Sequence, residues 1–552
     1  MKTTTRILST GACAALLALL SATAGAQVAT SLINEGDPLP AAGAGHTVFS
    51  INNTAVNGVG GYAATINSSG GGTTLSHVWG NAAGGAGAII RTEAVLGIYD
   101  QTSFESFFGM DDTGRIAYGP TCTDTGTLVT GLDCVWVDAT AHAVEGLPIP
   151  SLPGKEWRFA SRPGITNSGT PYWVSGINDT GSGANEGNGL FTSAGVQIKT
   201  GDVIAGLPAP LGSSAADFDV RFSAGGSHYI VGTDTTAATS ADFYVLLDGA
   251  PIPSGASILG EGQPVPAAAG GLPGESWANF DFMGVNEAGD YMVTGDTGGP
   301  IATDEFISFN GNIVYREGDV VDGETLTGSI EGAYMNEAGD IAYIWDIDDP
   351  GGDPEALYLN NDLLLKEGDA VDLFGQDGIV EPTSILVNFT GISAVTMGPN
   401  RLVYFTADID VNGTSTSSDD IEGFFCIDPG PWANLENGLA GTGGLQPTLD
   451  GSGTLAPATP IALTLDDAMP SSSAWLFIGV FRIDQPFKGG VLVPKPNFTL
   501  AALPVGPLGD LVLGSTWPGI PSGFSIYFQY WVVDAGAPFG ASASNALSAT
   551  QP

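Results

Sequence analysis

The sequence predicts an all-β protein, a seven-bladed β-propeller followed by a C-terminal β-sandwich. Three observations carry that reading. Two turn markers recur together seven times, at spacings of 50 to 61 residues. Glycine and proline, 81 and 35 of 552 residues, make up about a fifth of the chain, where a helical protein would be rich in alanine, leucine, glutamate and lysine. Past residue 445 the markers stop and short apolar runs follow one another to the end.

Residues 1–26 read as a signal peptide. Lys2 and Arg6 give a positive start, 11–20 is apolar but short for a membrane span, and Ala24-Gly25-Ala26 is a small-residue cleavage site. Removing it leaves 13 basic against 59 acidic residues, a formal charge of −46. No later stretch is long and apolar enough to span a membrane. A secreted, extracellular or loosely cell-surface-associated protein is therefore expected. Nucleic acid is excluded as a partner, because a polyanion without a basic stripe has no counterions to release from it. Of the cysteines that remain, Cys122 and Cys134 flank one loop and are expected to form a local disulfide in an oxidising compartment, while Cys426 is left over.

The propeller is placed at 27–426. Its first marker is a polar turn after a short strand: Glu35-Gly36-Asp37, a degenerate copy near Arg91, then Gly146, Gly201, Gly262, Gly318 and Gly368. The second is clearest as Asn286-Glu-Ala-Gly289 and Asn336-Glu-Ala-Gly339, with weaker copies at Asn57, Asp111 and Thr166 and one at Ser223 that lacks the Asn. In the last copy, Met397 to Tyr404, Asn400 takes the glycine place, since both residues tolerate the left-handed region. Each unit reads as four strands. In the fifth these are 276–285, 290–295, 304–309 and the run after the Asn310-Gly311 hairpin turn. About fifty residues and four strands per unit is a propeller blade, and ring closure removes sheet edges. Residues 31–33 are a short strand, and the sequence leaves open whether it completes the last blade.

Residues 427–444 are Gly/Pro-rich and read as a linker. The sandwich is placed at 445–552, on seven strand-like runs. The aromatics Tyr527, Phe528, Tyr530 and Trp531 belong to a core strand there, and Trp79, Trp136, Trp157, Trp173, Trp277 and Trp345 are expected to pack the blades.

The unit Asn-x-x-Gly-x-x-Ala-Tyr/Phe resembles the tandem NxxGxxAF repeat of bacterial exported proteins with variable C-terminal anchors. Asn336, Gly339, Ala342 and Tyr343 carry it best, and Asp111, Gly114, Ala117 and Tyr118 carry it with Asp for Asn. The tail, with GTGGLQPTLDGSGTL, LFIGV and VVDAGAPFGASASNAL, looks like a C-terminal module of secreted planctomycete proteins. The resemblance spans nearly the whole mature chain and implies export and repeat architecture, but no activity. It departs from the usual pattern in ending on Tyr more often than Phe.

One loop has the oxygen spacing of a calcium site. Asp408, Asp410, Asn412, the Thr414 carbonyl and Asp419 stand at positions 1, 3, 5, 7 and 12, with Gly413 at 6. The final acid is Asp rather than Glu, Asp420 is a substitute for it, and a solvated acidic turn fits the same pattern. Asp346, Asp348, Asp349 and Asp353 form a similar loop, and Asp296 and Asp234 hold corresponding places, which predicts an acidic rim at one end of the blades. That rim would collect cations or basic partners, or simply keep the chain soluble.

Catalysis has little support. His46, His77, His142 and His228 lie in no nucleophile or zinc motif. The leading expectation is a non-enzymatic protein that binds a cell-surface or matrix polymer or protein, stabilised by Ca2+. The alternatives are an extracellular polysaccharide hydrolase or lyase, and a structural envelope protein that assembles through its tail. Convergent His, Asp and Tyr at the channel mouth would favour the enzyme; a channel of Gly, Ala and Val would favour the binder.

Overall fold

The computed structural model describes residues 28–551 except 213–218, 238, 240, 350–351, 375, 377–378, 414–418, 436 and 522–523, and leaves the side chains of 392 and 393 undescribed. The expected leader, 1–26, lies outside the described residues, as does Thr414 of the expected calcium loop.

Seven antiparallel sheets, each built on four strands, follow one another around a ring. Their innermost strands are Thr47–Val56, Tyr99–Met110, Lys155–Ile165, Asp219–Phe222, Met283–Val285, Glu324–Met335 and Ile385–Met397. We number the blades 1 to 7 in that order. The ring closes through the chain's own start. Ala29–Asn34 is the outermost strand of blade 7 and pairs antiparallel with Ile421–Ile427, from Ala29 opposite Ile427 to Asn34 opposite Gly423.

Side chains reinforce the seam between the last and first blades. Glu422 Oε2 accepts the Ile51 N–H at 2.8 Å, and the Thr54 and Thr396 hydroxyls meet at 3.0 Å. Glu355, on the third strand of blade 6, does the same for Phe389 on the inner strand of blade 7, at 2.9 Å. An apolar layer then fills each gap. Between blades 7 and 1 it holds Ile33, Val48, Ile51, Trp79, Tyr404 and Phe424. All six propeller tryptophans expected to pack are buried.

The repeat motif has a physical account in these contacts. Asn336 Oδ1 accepts the N–H groups of Ala338 and Asp340, both at 2.9 Å, which folds the turn; Asn286 and Asn57 do the same in their blades. The amide of Asn57 also reaches the Asp111 carbonyl of the next blade at 3.1 Å, so one residue shapes a turn and fastens it to its neighbour. Gly339 holds φ 84°, where a Cβ is disfavoured. Ala342 and Ala117 are fully buried in the second strand. The terminal tyrosine has a use for its hydroxyl. Tyr343 donates to the Asn360 carbonyl at 2.9 Å and Tyr118 to the Asp138 carbonyl at 3.0 Å, each in the hairpin turn between the third and fourth strands.

Blade 7 corrects the expected alignment. The left-handed residue of its turn is Arg401 at φ 67°, not Asn400, and Gly398 takes the Asn place, its N–H bonded to the Leu402 carbonyl. Phe405 therefore ends this copy, and Tyr404 takes the alanine place. A bulky residue in the left-handed region is uncommon, and the surroundings hold it there. Arg401 is 2 % exposed, lies 3.3 Å from Asp340 of blade 6, and donates to the Gly430 carbonyl where the chain leaves the ring.

The C-terminal segment forms a sandwich. A five-stranded sheet (Trp432–Asn434, Ala541–Thr550, Ser525–Val533, Ser473–Gly479, Phe498–Pro504) packs on a three-stranded one (Thr448–Ser452, Pro460–Asp466, Leu511–Thr516). Leu449, Leu463 and Leu465 of one meet Leu476, Phe528, Tyr530 and Val532 of the other. A hairpin, Arg482–Phe487 with Gly490–Pro494, carries Phe487 and Leu492 onto Phe477 and Trp531. All seven expected runs are strands. Trp432–Asn434 lies in the segment read as a linker, and its three residues are too few to show a period.

Candidate functional site

The blades enclose one channel. Its wall takes residues from all seven inner strands, and it offers a volume of about 190 Å³ to water-sized molecules. The lining is mixed: Phe107, Arg162, Tyr172, Arg221, Tyr334 and Glu337 stand among glycine, alanine and valine. Bulges in the inner strands interrupt the ladder and re-aim side chains. One lies between Ser161 and Gly164, where Arg162 holds φ 49°. Arg162 reaches Asp219 Oδ1 at 3.3 Å and lies 5.2 Å from the centre of the Phe107 ring; Arg221 approaches the same Asp219 oxygen at 3.6 Å.

The carboxylates at the mouth are committed to backbone. Glu337 Oε1 accepts the Ala224 N–H at 2.6 Å and its Oε2 accepts the Glu287 N–H at 2.7 Å. Glu287 Oε1 accepts the Gly225 N–H at 2.6 Å and the Ser223 hydroxyl at 2.5 Å. Burial raises the Glu287 carboxyl, but the bonds from Ser223, Ser227 and Gly225 outweigh it and hold it at about 2. Asp112 Oδ1 likewise accepts the Gly58 N–H at 2.7 Å. These acids stitch the turns of blades 1 and 2 and of 4, 5 and 6. The half-buried Tyr334 hydroxyl is pushed up to about 12, by burial first and by Glu337 next.

The opposite end of the blades carries the expected line of acids. Asp124, Asp179, Asp234, Asp296 and Asp410 each end a second strand, with Asp346 one residue before such an end. Three of them cap the following turn in the same way. Asp410 Oδ1 accepts from Asn412 and Gly413 at 2.8 Å each; Asp124 does so from Gly126 and Thr127, and Asp179 from Gly181 and Ser182. Asn412 Nδ2 in turn donates to Asp419 Oδ2 at 2.8 Å, so three of the expected calcium-loop residues share one network. Asp408 stands apart, opposite Glu422 on the neighbouring strand. Among the described residues no group of three or more His, Cys, Asp or Glu is arranged to hold a metal ion.

Sequence inspection missed Glu305, Glu355 and Glu422, three acids whose titration is strongly displaced. Burial and the charges of Asp296 and Asp281 push Glu305 up to about 9, and its Oε2 is buried without a partner. Burial, opposed by the bonds they accept from the next blade and reinforced by neighbouring acids, pushes Glu355 and Glu422 up to about 7. Each lies beside a marker acid some distance away in sequence (Glu367 and Glu35), so no local motif announces them.

None of the histidines lines the channel. Ser68 does sit between two imidazoles, 3.0 Å from His46 Nδ1 and 2.8 Å from His77 Nε2. Ser68 and His77 are fully buried and His46 nearly so, and burial followed by the His46 charge drives His77 down to about 4. A serine that no substrate reaches is a structural bond, not a nucleophile. Cys122 and Cys134 are free, buried thiols on adjacent strands, rather than the expected disulfide.

No family model and no curated protein matches the chain. Solved structures similar to it include an exo-β-1,3-galactanase from Phanerochaete chrysosporium (12 % identity, TM-score 0.20, 69 % of this chain and 93 % of that one). Others are prolyl oligopeptidase B from Galerina marginata (9 %, TM-score 0.31, 78 % and 48 %) and polysaccharide lyase Uly1 (9 %, TM-score 0.19, 83 % and 89 %). At such scores they carry no argument about the site. Among the described residues no helix is long and apolar enough to cross a membrane.

Proposed function

We propose that this is an exported, non-catalytic binding protein of the NxxGxxAF-repeat kind, which presents its propeller to a cell-surface or matrix partner. The observation that carries the reading is the state of the mouth acids. General acid–base chemistry needs a carboxyl that can take up and release a proton at working pH. Glu337 instead spends both its oxygens, and Glu287 its Oε1, on backbone N–H groups of other blades. The polysaccharide lyase reading would rest on Tyr334 and Arg221, but a phenol raised to about 12 is moved away from the pKa a base needs.

Calcium is part of the proposal. Asp410, Asn412 and Asp419 fit its oxygen chemistry, and Asp408 and the Thr414 carbonyl are the further oxygen ligands that the spacing offers. The Asn412 amide donates to Asp419 Oδ2, a contact that a bound cation would replace. Mature protein, residues 27–552, is incubated with envelope and matrix fractions of the producing cell, in calcium and in chelator. Retention in calcium that is lost in chelator, and lost again in D410N/D419N, supports both parts. Retention in neither condition overturns the binding reading, and turnover of polysaccharides would then be screened.

A further inference from the structure

The sandwich carries an arrangement of charge that nothing in the channel or the acidic rim explains. After residue 427 the chain has only three basic residues, Arg482, Lys488 and Lys495, and all lie on or beside one hairpin. Arg482 pairs with Asp484. Among the described residues Lys488 and Lys495 have no carboxylate within ion-pair distance. Every other lysine of the described chain, and every arginine but Arg158, has one.

Aromatic rings hold these ammonium groups instead. Lys488 Nζ lies 5.5 Å from the Trp475 ring centre and Lys495 Nζ 5.4 Å from that of Phe481. Exposed apolar rings gather around them. Phe481 is 58 % exposed, Phe498 59 %, and Phe539, beside the hairpin turn at Gly489, 80 %. Among the described residues the tail holds four of the six phenylalanines exposed in this way, the others being Phe49 and Phe374.

We propose that this face of the sandwich binds an anionic polysaccharide, one that bears carboxylate or phosphate groups along an extended chain. The charge of the occupant follows from the two unpaired lysines. Its length follows from their separation. Lys488 is in the turn and Lys495 lies past the far end of the strand Gly490–Pro494, so the cations stand about 20 Å apart at the rise of an extended strand. That span suits a polymer and is too long for one small ion. A bilayer is the alternative that the exposed phenylalanines would also meet, and the vesicle arm of the test below rules on it. The net negative charge does not forbid the contact, since at physiological salt exposed charges beyond about 8 Å are screened and the local lysines dominate.

This inference rests on the surface-binding reading and assigns it a surface. The test is co-sedimentation of the mature protein with insoluble polygalacturonate, with neutral dextran beads and with phosphatidylglycerol vesicles, at 50 and 300 mM salt. Polygalacturonate should retain the wild type at low salt, release it at high salt, and retain K488Q/K495Q roughly tenfold less. Both lysines are at the surface, and circular dichroism of the variant checks its fold. No retention on polygalacturonate, equal retention on dextran, or retention on vesicles alone overturns the proposal. If K488Q/K495Q still binds the envelope fraction as the wild type does, the surface-binding reading stands and this assignment falls.

Discussion

Tyr343 donates its hydroxyl to the carbonyl of Asn360, and so ties the second strand of blade 6 to the hairpin turn that ends its third strand. Asn360 returns the contact by accepting the Ile341 N–H through its side chain at 2.9 Å. Tyr343→Phe keeps the buried ring, stacked on Tyr358, and removes only the hydroxyl. It should cost about 1 kcal/mol in denaturant unfolding, while Tyr343→Ala should cost about 3–5 kcal/mol through the cavity. A Phe variant as stable as the wild type would show that the hydroxyl is not why tyrosine ends this copy of the motif.

The seam gives a second prediction. Ile33 is 4 % exposed within the closing strand and packs between blades 7 and 1. Ile33→Asp places an unpaired charge there and should destabilise the ring by about 3 kcal/mol or more. Limited proteolysis should then cut first near the seam. Cleavage confined to the sandwich, with unchanged unfolding of the ring, would contradict a closing role for this strand.

Stability should fall as pH rises through neutrality. Glu355 and Glu422 are raised to about 7 and Glu305 to about 9, so the folded state holds protons that the unfolded chain releases near ordinary carboxylate values. Their contribution is complete below those values and is lost as pH climbs through 7 and then 9. Glu287, held at about 2, acts in the opposite sense and loses its contribution in acid. The melting temperature should peak between about pH 4.5 and 6 and drop by several degrees by pH 8. Glu355→Gln with Glu422→Gln keeps an acceptor for each N–H and should flatten that slope. A wild-type profile that rises from pH 5 to 8 would refute the assignment.

Cys122 and Cys134 are placed to react. Each is the largest influence on the other, and together they hold Cys122 below the ordinary thiol value and push Cys134 above it. Mild oxidant should close them into a disulfide, read as a loss of two hydrogens by mass spectrometry. The short loop it closes should add up to about 3 kcal/mol. Cys134→Ser should abolish both effects. Two thiols that still titrate after oxidation would show that the strands hold them apart.

Much of the ring was legible in the sequence, because turn chemistry is local. Asn336 and Gly339 act within four residues of each other, so their recurrence could be counted. The pairing of Ala29–Asn34 with Ile421–Ile427 was only half legible: a strand could be seen, but its partner is nearly four hundred residues away. The third-strand glutamates were not legible, since Glu422 meets Ile51 and Glu355 meets Phe389 only once the blades stand side by side. The slip at Asn400 has a similar cause. On paper Asn400, which tolerates the left-handed region, closes that turn, and the buried ion pair of Arg401 with Asp340 decides otherwise. At the expected calcium loop Asp410, Asn412 and Asp419 share one hydrogen-bonded network, while Asp408 faces Glu422 across the strands, a pairing that spacing along the chain does not show.

The way the ring closes also sets an order of events. Ala29–Asn34 is among the first segments to be made and Ile421–Ile427 among the last of the blades, so the first strand waits for nearly the whole propeller before it has a partner. Until then blade 7 lacks its outer strand and both ends of the nascent array show open sheet edges. Folding of this protein is thus bound to finish late and slowly, as pairings of such high sequence separation require. The interval before closure is when a holding chaperone, or dilution in a refolding experiment, would do the most to prevent aggregation.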